Sequence, residues 1–191
     1  MVRLRLDCPQ RGGLRDLYGV RGLYQGILLA VRHWAEPEPA QAEIGGIMGL
    51  PVPYYDDGAG IVIYHADCRD ILPYLPKVDL VLTDPPYGIG LAANPFRQKF
   101  EQSAWDDNPV DSALLAEIIA MGNEAIVWGG NYFGLPAHQR FLVWDKVQPE
   151  DFSSAMCEQA WTNIKGPAKL FRRHVVSYEK WHPTQKPLEL M

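Results

Sequence analysis

The stretch VDLVLTDPPY, residues 78–87, decides the fold. Val78–Thr83 is dominated by Val and Leu and reads as a buried strand. Asp84 ends the apolar run. Pro85 and Pro86 can then neither continue a helix nor donate to a site, because proline fixes φ and has no N–H. In open α/β sheets, ligands collect outside the carboxyl ends of strands. Residues 84–87 therefore stand where a site is expected.

Working outward, the pattern keeps alternating. Residues 61–65 (IVIYH) read as a buried strand closed by Asp67. Ile71, Leu72 and Leu75 have helical spacing, weakened by Pro73. A polar loop is expected over 88–108. Leu114, Leu115, Ile118 and Ile119 predict a helix over 111–121, with Asp111 as its cap and Gly122 as its stop. Further strands are expected at 125–128, 141–144 and 155–162. Strands alternating with helices imply an α/β domain with an open, largely parallel sheet.

That domain is assigned to residues 48–191. Residues 1–47 form an atypical N-terminal extension, with six Arg and no Lys, and an Ala/Glu/Pro-rich linker at 35–42. The expectation for 1–47 is disorder or a non-native upstream segment, with Met48 as an alternative start. The whole chain has 191 residues, 47% of them apolar, and a formal charge of −5. This argues against global disorder and a nonspecific polycation, but not against a local basic patch. No apolar run approaches the roughly 20 residues that span a bilayer, so no membrane is expected. Cys8, Cys68 and Cys157 make no CxxC pair, which excludes a disulfide scaffold and a zinc pattern and suits a reduced, cytoplasmic setting. No metal ligands are assigned.

Residues 84–87 suit one reaction, alkylation of an exocyclic amine. The lone pair of an aromatic –NH2 is delocalised into its ring, so the nitrogen is a poor nucleophile. Two acceptors on its two N–H bonds free that lone pair. The Asp84 carboxylate is a strong charge-assisted acceptor, and the Pro85 carbonyl can be the second. Pro85 and Pro86 stiffen the arm. Tyr87 offers a ring for base stacking, worth about 1–3 kcal/mol in single-strand binders.

The sequence DPPYGIG at 84–90 resembles the catalytic motif of S-adenosylmethionine-dependent DNA amino-methyltransferases. HPTQKPL at 182–188 is similar to the motif preceding the cofactor helix in the beta-class order, where the catalytic motif comes first. The tract 54–90 is particularly similar to phage and prophage modification methylases. The resemblance implies a Rossmann-like methyltransferase sheet in circularly permuted order. It implies N6-adenine methylation of double-stranded DNA, in restriction–modification or phage self-modification, with a flipped target base. N4-cytosine is the alternative target. By the same resemblance, Asp84, Pro85, Pro86 and Tyr87 are catalytic. Asp67, Thr184, Gln185 and Lys186 bind S-adenosyl-L-methionine, and Asp67 has a second reading as a helix cap. A homodimer is common in the class.

The class carries a target-recognition insert between the two motifs, placed here around 145–180. Lys165, Lys169, Arg172 and Arg173 are its candidate DNA contacts. The class also has a Phe-x-Gly-x-Gly cofactor motif after the second motif, and no such motif precedes Met191. The expectation is therefore a sheet incomplete at its C-terminus, and the alternative function is an inactive DNA-binding remnant. Cytosine C5 chemistry is rejected because it needs a Pro-Cys nucleophile, and the chain offers only Cys8-Pro9, in reverse order.

Overall fold

The structure is a computed structural model that describes residues 2–3, 30–31, 50–93, 104–180, 182 and 184–191. Most of the 1–47 extension therefore lies outside the described residues. Its described strands, β1 (Val2–Arg3) and β2 (Ala30–Val31), pair antiparallel. Next come β3 (Tyr55–Asp56) and β4 (Val62–Ile63), a small antiparallel hairpin. The turn between them is closed by Asp57, whose Oδ1 accepts the N–H groups of Ala59 and Ile61, each at 2.8 Å. This corrects the expectation for residues 61–65. They give a two-residue, half-buried strand outside the main sheet, because their backbone is tied to their own turn.

α1 (Cys68–Ile71) follows, capped by Asp67, whose Oδ1 accepts from Arg69 N at 2.9 Å. The chain then enters β5 (Val78–Thr83), with the bounds read from sequence. α2 (Ser112–Ala120) is capped by Asp111, whose Oδ1 accepts from Leu114 N. A cap of this kind contributes about 1 kcal/mol. Burial of Leu114, Leu115 and Ile118 contributes about 1.5–3 kcal/mol each, so packing outweighs the cap. α2 carries the chain back to β6 (Gly122–Trp128), which pairs parallel with β5.

The remaining strands are β7 (Phe141–Asp145), β8 (Cys157–Thr162) and β9 (Lys169–Arg172). The sheet order is β5-β6-β8-β7-β9. β8 runs antiparallel to both β6 and β7, while β9 runs parallel to β7. The sheet is thus mixed, not largely parallel. The link between β7 and β8, residues 146–156, carries no helix, and such a link returns a strand antiparallel beside its predecessor. The stretch 145–180, expected as an insert, contributes β8 and β9 to this sheet.

The period of two along each strand separates two cores. Val81 and Val127 face α2 with Leu114, Leu115 and Ile118. Leu82, Trp128, Trp144 and Ala160 form the other core, covered by Phe171, Val175, Tyr178, Leu190 and Met191. The Trp144 indole N–H donates to Arg173 O at 2.9 Å and pins the start of that cover. Val175, Tyr178, Leu190 and Met191 therefore lie on the sheet face, and the same segment brings Lys186 to the strand ends. Among the described residues, no helix is long and apolar enough to cross a membrane.

Candidate active site

The carboxyl ends of β5, β6 and β7 and the start of β8 converge. Each contributes to one cluster: Asp84 after β5, Gly129–Tyr132 after β6, Lys146 after β7, and Glu158 in β8. Lys186 arrives from the covering segment. Its Nζ lies 2.6 Å from Asp84 Oδ2, 3.0 Å from Glu158 Oε2 and 3.2 Å from the Tyr87 hydroxyl. An ammonium has three N–H bonds, and here each has an acceptor. The Lys186 side chain is only 3% exposed. The Tyr87 hydroxyl donates to Asp84 Oδ1 at 2.7 Å. Lys146 Nζ holds the other oxygen of Glu158 at 2.7 Å.

Local features fix these positions. Asp106 is buried, and its carboxylate accepts from the N–H groups of Tyr87 (2.8 Å), Gly88 (3.0 Å) and Leu91 (2.9 Å). One side chain thus holds the turn that follows the two prolines. Gly129 adopts φ 70°, and a β-carbon there would run into the Tyr87 ring. The ring stacks on Tyr132 at 5.0 Å between centroids and meets Phe133 edge-on at 6.1 Å. Tyr132 itself is 48% exposed. The Lys186 ammonium also lies 5.4 Å from the centroid of the fully buried Trp128 ring.

The electrostatics follow from this packing. Burial works against the Lys186 ammonium, but Asp84 and Glu158 outweigh it and hold Lys186 above its ordinary value of 10.5. Burial works against the Glu158 carboxylate too, and Lys186 and Lys146 outweigh it, so Glu158 lies below 4.5. Burial, then the charges of Asp84 and Glu158, push the Tyr87 phenol far above 10.0. Tyr87 is a hydrogen-bond donor at any physiological pH. Burial pushes His182 below 6.5 against the pull of Asp84.

No protein family, curated protein or solved structure matches the chain. The arrangement is therefore read from its own geometry.

The two sequence motifs meet: Lys186 touches Asp84 and Tyr87 although about a hundred residues separate them, 102 and 99 respectively. Gln185 is anchored through its carbonyl, which accepts from the Tyr178 hydroxyl at 2.7 Å. Thr184 turns back on His182, its Oγ1 3.0 Å from Nδ1. Asp67 stands apart as the cap of α1, with its Oδ2 on Arg69 at 3.0 Å. Lys165 lies between β8 and β9, and Lys169 opens β9. Arg172 pairs with Asp145 at 2.8 Å, and Arg173 pairs with Glu189. Residues 94–103 of the expected polar loop lie outside the described residues. Among the described residues, no group of three or more His, Cys, Asp or Glu could hold a metal ion.

Sequence reading missed Asp106, Lys146, Glu158 and Tyr132. Asp106 looked like any loop acid in WDDN, and Glu158 like a solvent-facing residue of a strand. Only the antiparallel return of β8 turns Glu158 toward Lys186.

Proposed function

We propose that this protein is a DNA amino-methyltransferase acting on an exocyclic amine of a flipped base, with adenine N6 as the target and S-adenosylmethionine as the methyl donor. The observation that carries the reading is the state of the Asp84 carboxylate. Each of its oxygens has two acceptor positions. One is taken on each, by Tyr87 and by Lys186, and the side chain remains 27% exposed. A free acceptor position is left on each oxygen at the end of a strand. Among the described residues, nothing donates to the Pro85 carbonyl. Asp84 and Pro85 can then receive the two N–H bonds of an aromatic amine. Asp84 is also a base for the proton that an alkylated nitrogen sheds.

The stacking role assigned to Tyr87 passes in part to its neighbour. One face of the Tyr87 ring is covered by Tyr132, so the half-exposed Tyr132 ring is the surface on which a base can lie. Such a contact is worth about 1–3 kcal/mol.

The described residues do not by themselves fit S-adenosylmethionine. All three N–H bonds of Lys186 are engaged within the chain. The Asp67 carboxylate is engaged by its own helix and Arg69. The roles given to Asp84, Pro85 and Tyr132 concern the amine and do not depend on how the donor is held.

The test is incubation of the purified protein with unmodified genomic DNA and methyl-labelled S-adenosylmethionine, followed by mass spectrometry of the digested nucleosides. N6-methyladenine is expected, reduced about a hundredfold or more by Asp84→Ala. N4-methylcytosine in its place would move the target to cytosine. No methylated base would overturn the reading.

A further inference from the structure

Lys186 sits between two carboxylates. Asp84 is not its sole charged partner. Glu158 shares the ammonium, with Lys186 Nζ 3.0 Å from Glu158 Oε2 and 2.6 Å from Asp84 Oδ2, so one N–H is directed away from the carboxylate that an incoming amine needs. Glu158 cannot swing away, because Lys146 holds its other oxygen at 2.7 Å. Lys146 directly follows β7 and Glu158 lies within β8, adjacent strands of one sheet, so the support is rigid. The four groups carry two positive and two negative charges. This balance allows a nearly buried ammonium to stay charged, since an uncompensated one costs several kcal/mol.

We infer that Glu158 is a positioning residue, which fixes the Lys186 ammonium and, through it, the orientation of the Asp84 carboxylate toward the incoming amine. The inference rests on the reading of Asp84 as the amine acceptor. Glu158 touches no reacting atom. Its effect runs from Lys146 through Glu158 and Lys186 to Asp84.

The test follows the ammonium itself. In the full chain labelled with 15N-lysine, the Lys186 Nζ resonance is identified by its loss in Lys186→Arg, and its hydrogen exchange with water is measured at neutral pH. An opposite charge within hydrogen-bonding range shifts a titration by about 1–3 pH units, so Glu158→Gln should raise the exchange rate about tenfold or more. Lys146→Gln frees one oxygen of Glu158 but leaves its charge beside Lys186 and removes a like charge, so it should raise exchange clearly less than Glu158→Gln does. A larger rise in Glu158→Gln supports positioning. Unchanged exchange in Glu158→Gln overturns the inference, and so does equal acceleration in both variants, which would mean general loosening. If Glu158→Gln does not fold, Glu158→Asp keeps the charge but shortens the reach, and its exchange should be faster than wild type. Exchange as slow as wild type would overturn the inference as well.

The methylation assay gives the second readout. Glu158→Gln should lower kcat about tenfold, and an unchanged kcat overturns the positioning role. Absence of methylation in the wild type is a failure of the functional reading. The exchange measurement is independent of it and still decides whether Glu158 holds Lys186.

Discussion

The ring of Tyr87 occupies the space that a β-carbon on residue 129 would fill. The two residues follow adjacent parallel strands, β5 and β6, so the tyrosine bridges neighbouring strand ends. This contact fixes the hydroxyl that binds Asp84. It requires a residue with no side chain and with a left-handed backbone, φ 70°, at one position.

Gly129→Ala is accordingly expected to be severe for so small a change. The left-handed backbone costs a non-glycine residue about 1–2 kcal/mol. Overpacking against the ring adds about 1–3 kcal/mol. The denaturant midpoint should fall with the slope unchanged. A variant as stable as wild type would show that the ring does not rest there.

Asp106→Ala should loosen the same turn from the other side. It strips the acceptor from three backbone N–H groups, those of Tyr87, Gly88 and Leu91. Unsatisfied buried donors cost about 1–3 kcal/mol each, although water can reach part of this loop. A loss of about 3 kcal/mol is expected. Asp106→Asn should be milder, since one oxygen serves both Tyr87 and Gly88 and can be kept. Thermal melts of the two variants should rank in that order, and equal melting would contradict it.

The legible parts of this chain were those with local causes. β5 was read with its bounds because a Val/Leu run meets two prolines. α2 was read because Asp111 caps a regular apolar stripe. The direction of β8 was not legible. It depends on whether the 146–156 link forms a crossover, and that segment has no periodicity to decide it. Residues 61–65 misled because β-branched residues signal a strand without naming its partner. At the site, Asp84 and Lys186 were both singled out, but nothing local says that they touch. Glu158 and Lys146 were silent for the same reason: charge balance around a buried ammonium is a property of the assembled sheet.

Lys186→Met should change stability in a pH-dependent way. Glu158 titrates below 4.5 in the folded chain, so its contribution is present above that pH and lost as pH falls. Lys186 titrates above 10.5, so its contribution is present below that pH and lost as pH rises. Without Lys186, burial of Glu158 is opposed by Lys146 alone. The variant should be less stable by about 3 kcal/mol, the low end for a broken buried pair, because Asp84 and Glu158 keep 27% and 21% exposure. The deficit should be widest between about pH 5 and 10 and shrink below it as Glu158 protonates. Urea midpoints across this range test the shape, and a deficit constant with pH would refute the ion-pair origin.

The four candidate DNA contacts should not contribute equally. Arg172 and Arg173 are engaged with Asp145 and Glu189, so a phosphate must compete with a carboxylate already in place. Lys165 and Lys169 have exposed side chains, and neither has an ion pair among the described residues. Each phosphate neutralised adds about 0.9 to the slope of log affinity against log salt. Lys165→Gln with Lys169→Gln should therefore lower the slope by about 2. Arg172→Gln with Arg173→Gln should lower it by less than about 1. Affinity would still fall in that variant, because Asp145 and Glu189 would be left as uncompensated negative charge beside the DNA. Titrations at several salt concentrations separate the two effects. Identical slopes in wild type and both variants would place the DNA away from β9.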